Sequence, residues 1–474
     1  MTISAQTVDS LGIINFSDAV LELQNSELLK NGTLAISVKS TKDGKNVFSS
    51  NAALSLPPAS TLKLVTTATA MSVFGGDYRF KTFLEYQGII QGDTLFGNIY
   101  VRGNGDPTLG SDRFKGTLLY TDLLTRWAQL VAKTGIKVVK GKILTDASYF
   151  DPRTVPDSWI FADLGSYYGA GVSALNFNDN QYKIKLKPAA EIGYPVTLLG
   201  TDPSLPFLTF QNHVLTGERG SGDRTVLYSN PISNHVFLTG TIPQGMSTYT
   251  VKGAVPDPPG SVGFLLKEAL RYSQIPVLES AMPDSLLALV GRKTLDEYTS
   301  PPLREISLQT NLWSVNLYAD TFLKHLGKRL SGNSEFDAAA LAMTNFWSLK
   351  NADMSGFFIK DGSGLSPSGS VTVHNLSDIL RIASRQPNFD DFYKTIAVLG
   401  QGGTVRNLGK GTKAVGNIRA KSGSIEGTRA FAGYVTNKAG ELMSFAIIAH
   451  KYQPGSQRMI SDELVRLMVL MTDL

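Results

Sequence analysis

The sequence predicts an α+β, multidomain fold, and three observations lead to it. The chain's 474 residues exceed one ordinary domain and match about three at typical domain sizes. Apolar residues recur at helical spacing near both ends of the chain. Between about Tyr78 and Pro283, short β-like runs alternate with Gly/Pro turns instead.

Phe16 to Lys30 (FSDAVLELQNSELLK) reads as a helix, with Ser17 or Asp18 as its cap. GTLAISVKS and NVFSS then flank Lys42-Asp43-Gly44-Lys45, a hairpin built on an Asp-Gly turn. Pro57-Pro58 precedes a helix from Ser60 to Phe74, stopped by Gly75-Gly76. The strands of the middle region are KTFLEYQGII, TLFGNIYVRG, KVVKGKILTD, YKIKLK, TVLYSN and HVFLTGTI, broken by one helix from Thr121 to Lys133. Val255-Pro-Asp-Pro-Pro-Gly260 reads as a junction before another helix, GFLLKEALRYS. Helical patterns return from about Ser285, around LYADTFLKHLGKRL and FDAAALAMTNFWSLK. NIRAKSG, TRAFAGYVT and ELMSFAIIAHKY follow as strands, the last two hinged at Asn437-Lys-Ala-Gly440, before an amphipathic helix from Asp462 to Leu470.

Composition removes several function classes. Hydrophobic residues make up 42% and charged residues 18%, enough for a sizeable core. The net charge of +5 comes without a basic run that would track a nucleic acid. The absence of cysteine excludes disulfides, thiolate metal sites and a cysteine nucleophile, and fits an oxidising compartment. No apolar run approaches the roughly 18 residues that span a bilayer. The start lacks the basic and apolar regions of a signal peptide; Ser4-Ala5-Gln6 reads as the stub of a cleavage site behind an added Met1.

Catalytic layouts fall away in the same manner. Gly400 to Thr404 (GQGGT) lacks the Lys-Ser/Thr of a phosphate loop. His213, His235, His325, His374 and His450 are scattered, with no H-E-x-x-H to hold zinc and no G-x-S-x-G elbow for a Ser-His-Asp hydrolase. Something other than histidine must activate any nucleophile here.

Ser60-Thr-Leu-Lys63 is the one place where Lys follows Ser by three. Its position in the first turn of a helix sets both side chains on one face, with the Ser60 amide at the positive end of the dipole. A hydroxyl beside an amine and an anion-favouring amide is what Ser-Lys acyl transfer requires; alone, the pattern more often describes a helix-start Ser and a solvated Lys. Ser314-Val-Asn316 opens a helical run, whereas Ser49-Ser-Asn51 ends a strand and Ser331-Gly-Asn333 lies in a polar loop. Two Lys-hydroxyl-Gly sites compete. Lys133-Thr-Gly135 has the look of a helix C-cap, while Lys421-Ser-Gly423 sits in a β-pattern that can present Lys421 and a cleared backbone edge to an extended peptide.

In this order the three elements resemble the S-x-x-K, S-x-N and K-[ST]-G motifs of the penicillin-recognising serine enzymes. PPASTLKLVTTA, GNIYVRGNGDPTLG, GKILTDASYF, NLYADTF, DGSGLSP and AKSGSIEGTRAFAGYV narrow the resemblance to the class C low-molecular-mass penicillin-binding proteins, D-alanyl-D-alanine carboxypeptidases and endopeptidases. It runs from about residue 16 to the C-terminus. It implies a penicillin-binding/β-lactamase-like transpeptidase domain, an antiparallel sheet flanked by helices, formed by residues 1–75 and 286–474. The gap from Ser60 to Ser314 is more than twice that from Ser314 to Lys421 and holds the β-rich region. The resemblance divides that insert into one domain, 76–170 with 256–285, and a second nested in it, 171–255. Val315 and Ser422 depart from the Asp and Thr common in the wider superfamily.

The resemblance also assigns roles. Ser60 attacks the penultimate D-alanine carbonyl, and Lys63 is the general base, its pKa lowered by burial and by the charge of Lys421. Ser314 relays a proton to the leaving amine, and Asn316 holds Lys63 and the substrate amide. Ser422 and Ser424 bind the terminal carboxylate near Lys421, along the Gly423-cleared edge, and the amides of Ser60 and Ser424 hold the oxyanion. Asp146 receives the amino group of the peptide's diamino acid, although a turn Asp reads equally well there; DGSGLS borders the cleft. No metal or organic cofactor is expected. Peptidoglycan peptides are the expected partners, β-lactams the covalent inhibitors, and the periplasm or another extracytoplasmic space the location. A slowly acylated sensor, or a β-lactamase or esterase, are the rival readings.

Overall fold

The structure, a computed structural model, describes residues 5–280 and 291–474, with side chains from residue 11 onward. The expected junction at 285/286 lies outside the described residues, as do the first residues of the Ser4-Ala5-Gln6 reading. The chain forms two compact units, one from the segments ending at Tyr78 and beginning at Pro302, the other from Arg79 to Pro301.

The first unit opens with helix α1 (Ala5–Gln24), strands β1 (Thr33–Ser40) and β2 (Asn46–Ser50), and helix α2 (Leu62–Phe74). Ser17 and Asp18 lie inside α1 and do not cap it, because the helix starts well before them. Gly12, a poor helix former, is accommodated for its size: a Cβ there would meet the Asp473 carbonyl oxygen at 2.3 Å. The hairpin turns where expected, with Gly44 at φ +81° and the Lys45 amide donating to Asp43 Oδ1 at 3.0 Å. Gly75, at φ +83°, ends α2.

The second unit contains β3 (Lys81–Gln91), β4 (Thr94–Gly103), α3 (Tyr120–Lys133), β5 (Val138–Lys140), β6 (Ile143–Asp146), α4 (Phe161–Leu164), β7 (Gln181–Lys187), β8 (Thr197–Asp202), β9 (Thr209–Asn212), β10 (Leu215–Gly217), β11 (Val226–Asn230), β12 (Ser233–Thr239), β13 (Thr241–Pro243), β14 (Tyr249–Ala254), α5 (Pro258–Tyr272) and β15 (Lys293–Thr299). Lys133 ends α3 and Gly135 follows at φ +86°, the C-terminal stop read from the rival Lys-Thr-Gly. Val255–Gly260 is less of a junction than expected. Asp257 caps α5, accepting from the Gly260 amide at 3.0 Å, and Pro258 and Pro259 fall in its first turn, where a missing N–H costs nothing. Two apolar cores occur in this unit. One gathers Leu84, Ile99, Trp127 and Leu266 between a sheet and helices α3 and α5; the other gathers Tyr182, Ile184, Leu227, Leu238 and Val251 within the strands from β7 to β14. Strand β15 belongs here, paired antiparallel with β3.

The chain returns to the first unit as α6 (Leu303–Trp313), α7 (Asn316–Ser331), α8 (Phe336–Ser348), α9 (Val373–Ala383), α10 (Phe389–Thr395), β16 (Ile418–Ile425), β17 (Thr428–Thr436), β18 (Leu442–His450) and α11 (Gln457–Met471). The five-stranded sheet runs β16-β17-β18-β1-β2, every pair antiparallel. Strand alternation sends Leu34, Ile36, Phe445 and Ile447 to one face, where they pack on Phe16 and Val20 of α1 and Leu464 and Leu467 of α11. On the other face, polar contacts seat α9: Ser37 Oγ lies 2.7 Å from Ser377 Oγ, and Tyr434 OH donates to the Leu380 carbonyl at 2.7 Å. Helix α2 is buried all round from Leu62 to Met71, the burial of a central helix. Among the described residues no helix is long and apolar enough to cross a membrane.

Candidate active site

Ser60 lies in the 3-10 turn Ala59–Thr61 that leads into α2, one step tighter than the α-helical turn expected. Its side chain is partly exposed, so solvent reaches it. The preceding Ala59 has no exposed surface and sits at φ +45°, a left-handed conformation that alanine avoids. Strain of this kind persists only where surrounding packing enforces it. Two glycines show that packing. A Cβ on Gly364 would stand 1.9 Å from the Ala59 carbonyl oxygen, and one on Gly423 would stand 2.9 Å from the Pro58 carbonyl oxygen and 3.1 Å from the Ser60 nitrogen. The turn carrying Ser60 is thus wedged between the 361–366 loop and β16.

One helical turn on, Lys63 is fully buried. Its Nζ donates to Ser60 Oγ at 2.9 Å and to the Ser363 carbonyl at 2.6 Å. Burial lowers its pKa, while the carboxylates of Asp320 and Asp361 oppose the shift.

Ser314 does not start a helix, as its spacing predicts. It links α6 to α7 in the left-handed conformation (φ 60°, ψ 40°); α7 begins at Asn316, after Val315, with no side-chain cap. The turn frees the hydroxyl, and Lys421 Nζ donates to Ser314 Oγ at 3.0 Å and to the Ser422 carbonyl at 2.7 Å. Asn316 is buried at the head of α7. Burial, then the charges of Lys63 and Arg429, push Lys421 well below the ordinary lysine range. The two ammonium groups repel each other, and Asp320, which the sequence argument did not single out, and Asp361 of DGSGLS offset part of the shift at Lys63.

Strand β16 is an edge of the sheet. Ser422 is buried with its Oγ 2.7 Å from Thr404 Oγ1, and Ser424 is exposed. The structure thus links Ser60 to Lys63 and Ser314 to Lys421 by hydrogen bonds and sets Gly423 against the Ser60 turn. Asp146 belongs to the second unit, at the end of β6. There Arg292 Nη1 lies 2.7 Å from its Oδ2 and Ser148 Oγ donates to its Oδ1 at 2.7 Å. Burial pushes its pKa up, but the bonds from Ser148 and Arg292 outweigh this and leave it lowered.

Three participants escaped the sequence reading. Asp320 lies one turn beyond Asn316 on α7, a spacing visible in NLYADTF. Ser363, in DGSGLS, contributes a backbone carbonyl, which no residue pattern reveals. Thr404 sits in the GQGGT segment considered only as a phosphate loop. Nor is DGSGLS a simple turn, since Asp361 accepts from the amides of Gly364 and Ser366, each at 2.7 Å. Among the described residues no group of three or more His, Cys, Asp or Glu is placed to hold a metal ion. A part-exposed hydroxyl bonded to a buried amine is equipped for acyl transfer.

Comparison with known proteins agrees with that chemistry. The D-Ala-D-Ala carboxypeptidase 3 (S13) family model matches residues 18–469. The chain belongs to this family. It is a serine-type D-Ala-D-Ala carboxypeptidase, a class C low-molecular-mass penicillin-binding protein. A D-alanyl-D-alanine carboxypeptidase of Actinomadura sp. is 29% identical over 461 residues, covering 94% of this chain and 82% of its own. The D-alanyl-D-alanine carboxypeptidase DacB of Haemophilus influenzae is 24% identical over 93% of this chain and 89% of its own. The fold is that of penicillin binding protein 4 from Haemophilus influenzae, with a TM-score of 0.78 at 22% identity over 96% of this chain and 98% of that one.

Proposed function

We propose that Ser60 is the acyl-carrying nucleophile of this carboxypeptidase and that Lys63 is its base. The observation that carries the reading is the 2.9 Å contact from Lys63 Nζ to Ser60 Oγ, made by an amine whose burial favours the neutral form. The Ser60 proton passes to Lys63 as Oγ bonds to the carbonyl carbon of the penultimate D-alanine. The amides of Ser60 and Ser424 hold the oxyanion. Ser314, bonded to Lys421, passes its hydroxyl proton to the departing amine and takes up the proton held by Lys63, and Asn316 holds Lys63 and the substrate amide. In the second half, the oxygen of a water bonds to the acyl carbon as the bond to Ser60 Oγ breaks, and one of the water's protons restores the Ser60 hydroxyl.

An extended stem peptide lies along the edge of β16 beyond Ala420, where the pairing with residues 397–399 ends, Gly423 leaves room and Ser422, Ser424 and Lys421 receive the terminal carboxylate. Asp146 receives the amino group of the diamino acid. If the leaving amine is a second stem peptide in place of D-alanine, the same steps cut a cross-link. The Haemophilus influenzae protein has been solved with a β-lactam; in this chain a β-lactam acylates Ser60 and blocks turnover. The protein works outside the cytoplasmic membrane, where peptidoglycan is. The strands from β7 to β14, with a core of their own, form a nested domain of residues 171–255 within an insert completed by 76–170 and 256–285.

Incubation with a stem pentapeptide ending in D-Ala-D-Ala tests the assignment. The wild type releases D-alanine and Ser60→Ala releases none; equal release by the two, or none by either, would discard it.

A further inference from the structure

Asp320 has no exposed surface, and the steps above give it nothing to do. Its Oδ1 accepts two backbone N–H groups of the facing loop, from Gly362 at 2.7 Å and Ser363 at 3.1 Å. The same short segment turns its carbonyls to α2: Gly362 accepts from Thr66 Oγ1 and Ser363 from Lys63 Nζ, both at 2.6 Å. A Cβ on Gly362 would stand 2.7 Å from the Ala319 carbonyl oxygen, so the loop rests directly on the turn of α7 that presents Asp320. Asp320 is therefore one residue removed from the reacting amine: Ser363 meets Asp320 with its N–H and Lys63 with its carbonyl.

Its other oxygen is the informative one. Oδ2 is buried without a hydrogen-bond partner, which is rare for a buried polar atom. A mechanical clamp for two N–H groups needs one acceptor oxygen, and an amide would supply it without burying an ionisable group. Burial, then the charge of Asp361, push its pKa up, and the Gly362 amide and the ammonium of Lys63 pull it back; a carboxyl here holds its charge best while Lys63 is protonated, which couples the two groups. The charged groups facing it are Lys63 on α2 and Asp361 at the start of the loop, while Lys421, with Arg429 nearby, faces Lys63 from the sheet.

We propose that Asp320 is a positioning residue for acylation. It holds Gly362 and Ser363 by their amides so that the Ser363 carbonyl engages one N–H of Lys63 and leaves the amine lone pair to Ser60, and its charge steadies the ammonium that forms when Ser60 is deprotonated. This rests on the reading of Lys63 as the base. In the step itself the Ser60 O–H bond breaks, a Lys63 N–H bond forms, and no proton reaches Asp320.

The test is the rate of acylation by a fluorescent penicillin, followed from mildly acidic to alkaline pH, for the wild type, Asp320→Asn and Asp320→Ala. Asparagine keeps an acceptor for both amides and removes the charge. Its alkaline plateau should fall by no more than about tenfold, while its acid limb moves to lower pH, since the ammonium is less favoured. A purely structural role would leave that limb in place. Alanine releases the loop and should slow acylation about 100-fold at every pH, the scale of a 1 Å misplacement, with KM for the pentapeptide unchanged because Asp320 touches no substrate. An Asn variant whose acid limb coincides with the wild type, or an Ala variant that acylates at the wild-type rate, would overturn the inference alone. If the Ala variant does not fold, the Asn profile decides. A wild type that forms no adduct on Ser60 would overturn the acyl-enzyme reading, and the inference with it.

Discussion

Replacing Gly423 with alanine probes the packing that holds Ser60. The added Cβ would stand 2.9 Å from the Pro58 carbonyl oxygen, 3.1 Å from Ala59 Cβ and 3.1 Å from the Ser60 nitrogen. The shortest of these is about 0.5 Å inside the usual approach distance of a carbon atom. All three contacts are backbone or the first side-chain carbon, so none can swing aside. Either β16 or the Ser60 turn must move by a few tenths of an ångström. Overpacking of this kind costs about 1–3 kcal/mol of stability. If 1 Å of misplacement costs roughly 100-fold, half of that costs about tenfold. Stopped-flow acylation with a fluorescent penicillin, alongside thermal unfolding, measures both effects. A Gly423→Ala protein that acylates at the wild-type rate and unfolds at the wild-type temperature would refute the claim that this glycine exists for close approach to the Ser60 turn.

Three further outcomes are expected. Because burial lowers the Lys63 pKa and the neutral amine is the active form, acylation should rise with pH through a limb lying below the ordinary lysine value of about 10.4; a limb at that value would contradict the base assignment. Ser314→Gly relieves a left-handed serine, worth about 1–2 kcal/mol, against a lost hydrogen bond and a freer unfolded chain. Thermal stability should therefore stay within about 1 kcal/mol of wild type while D-alanine release falls about 100-fold, and a large loss of stability would speak against strain at Ser314. Asp146→Ala should raise KM for a pentapeptide with a free diamino-acid amine and leave penicillin acylation unchanged; equal KM values would reduce Asp146 to a partner of Arg292.

What was legible in the sequence is what local rules control. The hairpin at Asp43-Gly44, the stop at Gly75 and the helix-ending Lys133-Thr-Gly135 each depend on a glycine at positive φ beside a hydrophobic period, and all are where the residues put them. Even the first motif was readable, since three residues of helix bring Lys63 back to Ser60. The missed features are set by tertiary packing. Ala59 and Ser314 take left-handed conformations that their own residue types disfavour, so no propensity argument could find them. The Ser363 carbonyl that engages Lys63 belongs to the backbone and lies 300 residues away along the chain. Asp320 carried a weak signal, one turn past Asn316, but its task depends on a loop that the sequence shows only as a turn. Helix α1 begins well before the Ser17 or Asp18 cap that the spacing suggests, and Gly12 within it rests against the Asp473 carbonyl, a contact no local pattern reveals.

The most direct test of the account is the site at which a β-lactam attaches. Mass analysis of the digested, penicillin-treated protein should place a single acyl adduct on the peptide bearing Ser60, and Ser60→Ala should carry none. An adduct on any other residue, or labelling that survives Ser60→Ala, would contradict it.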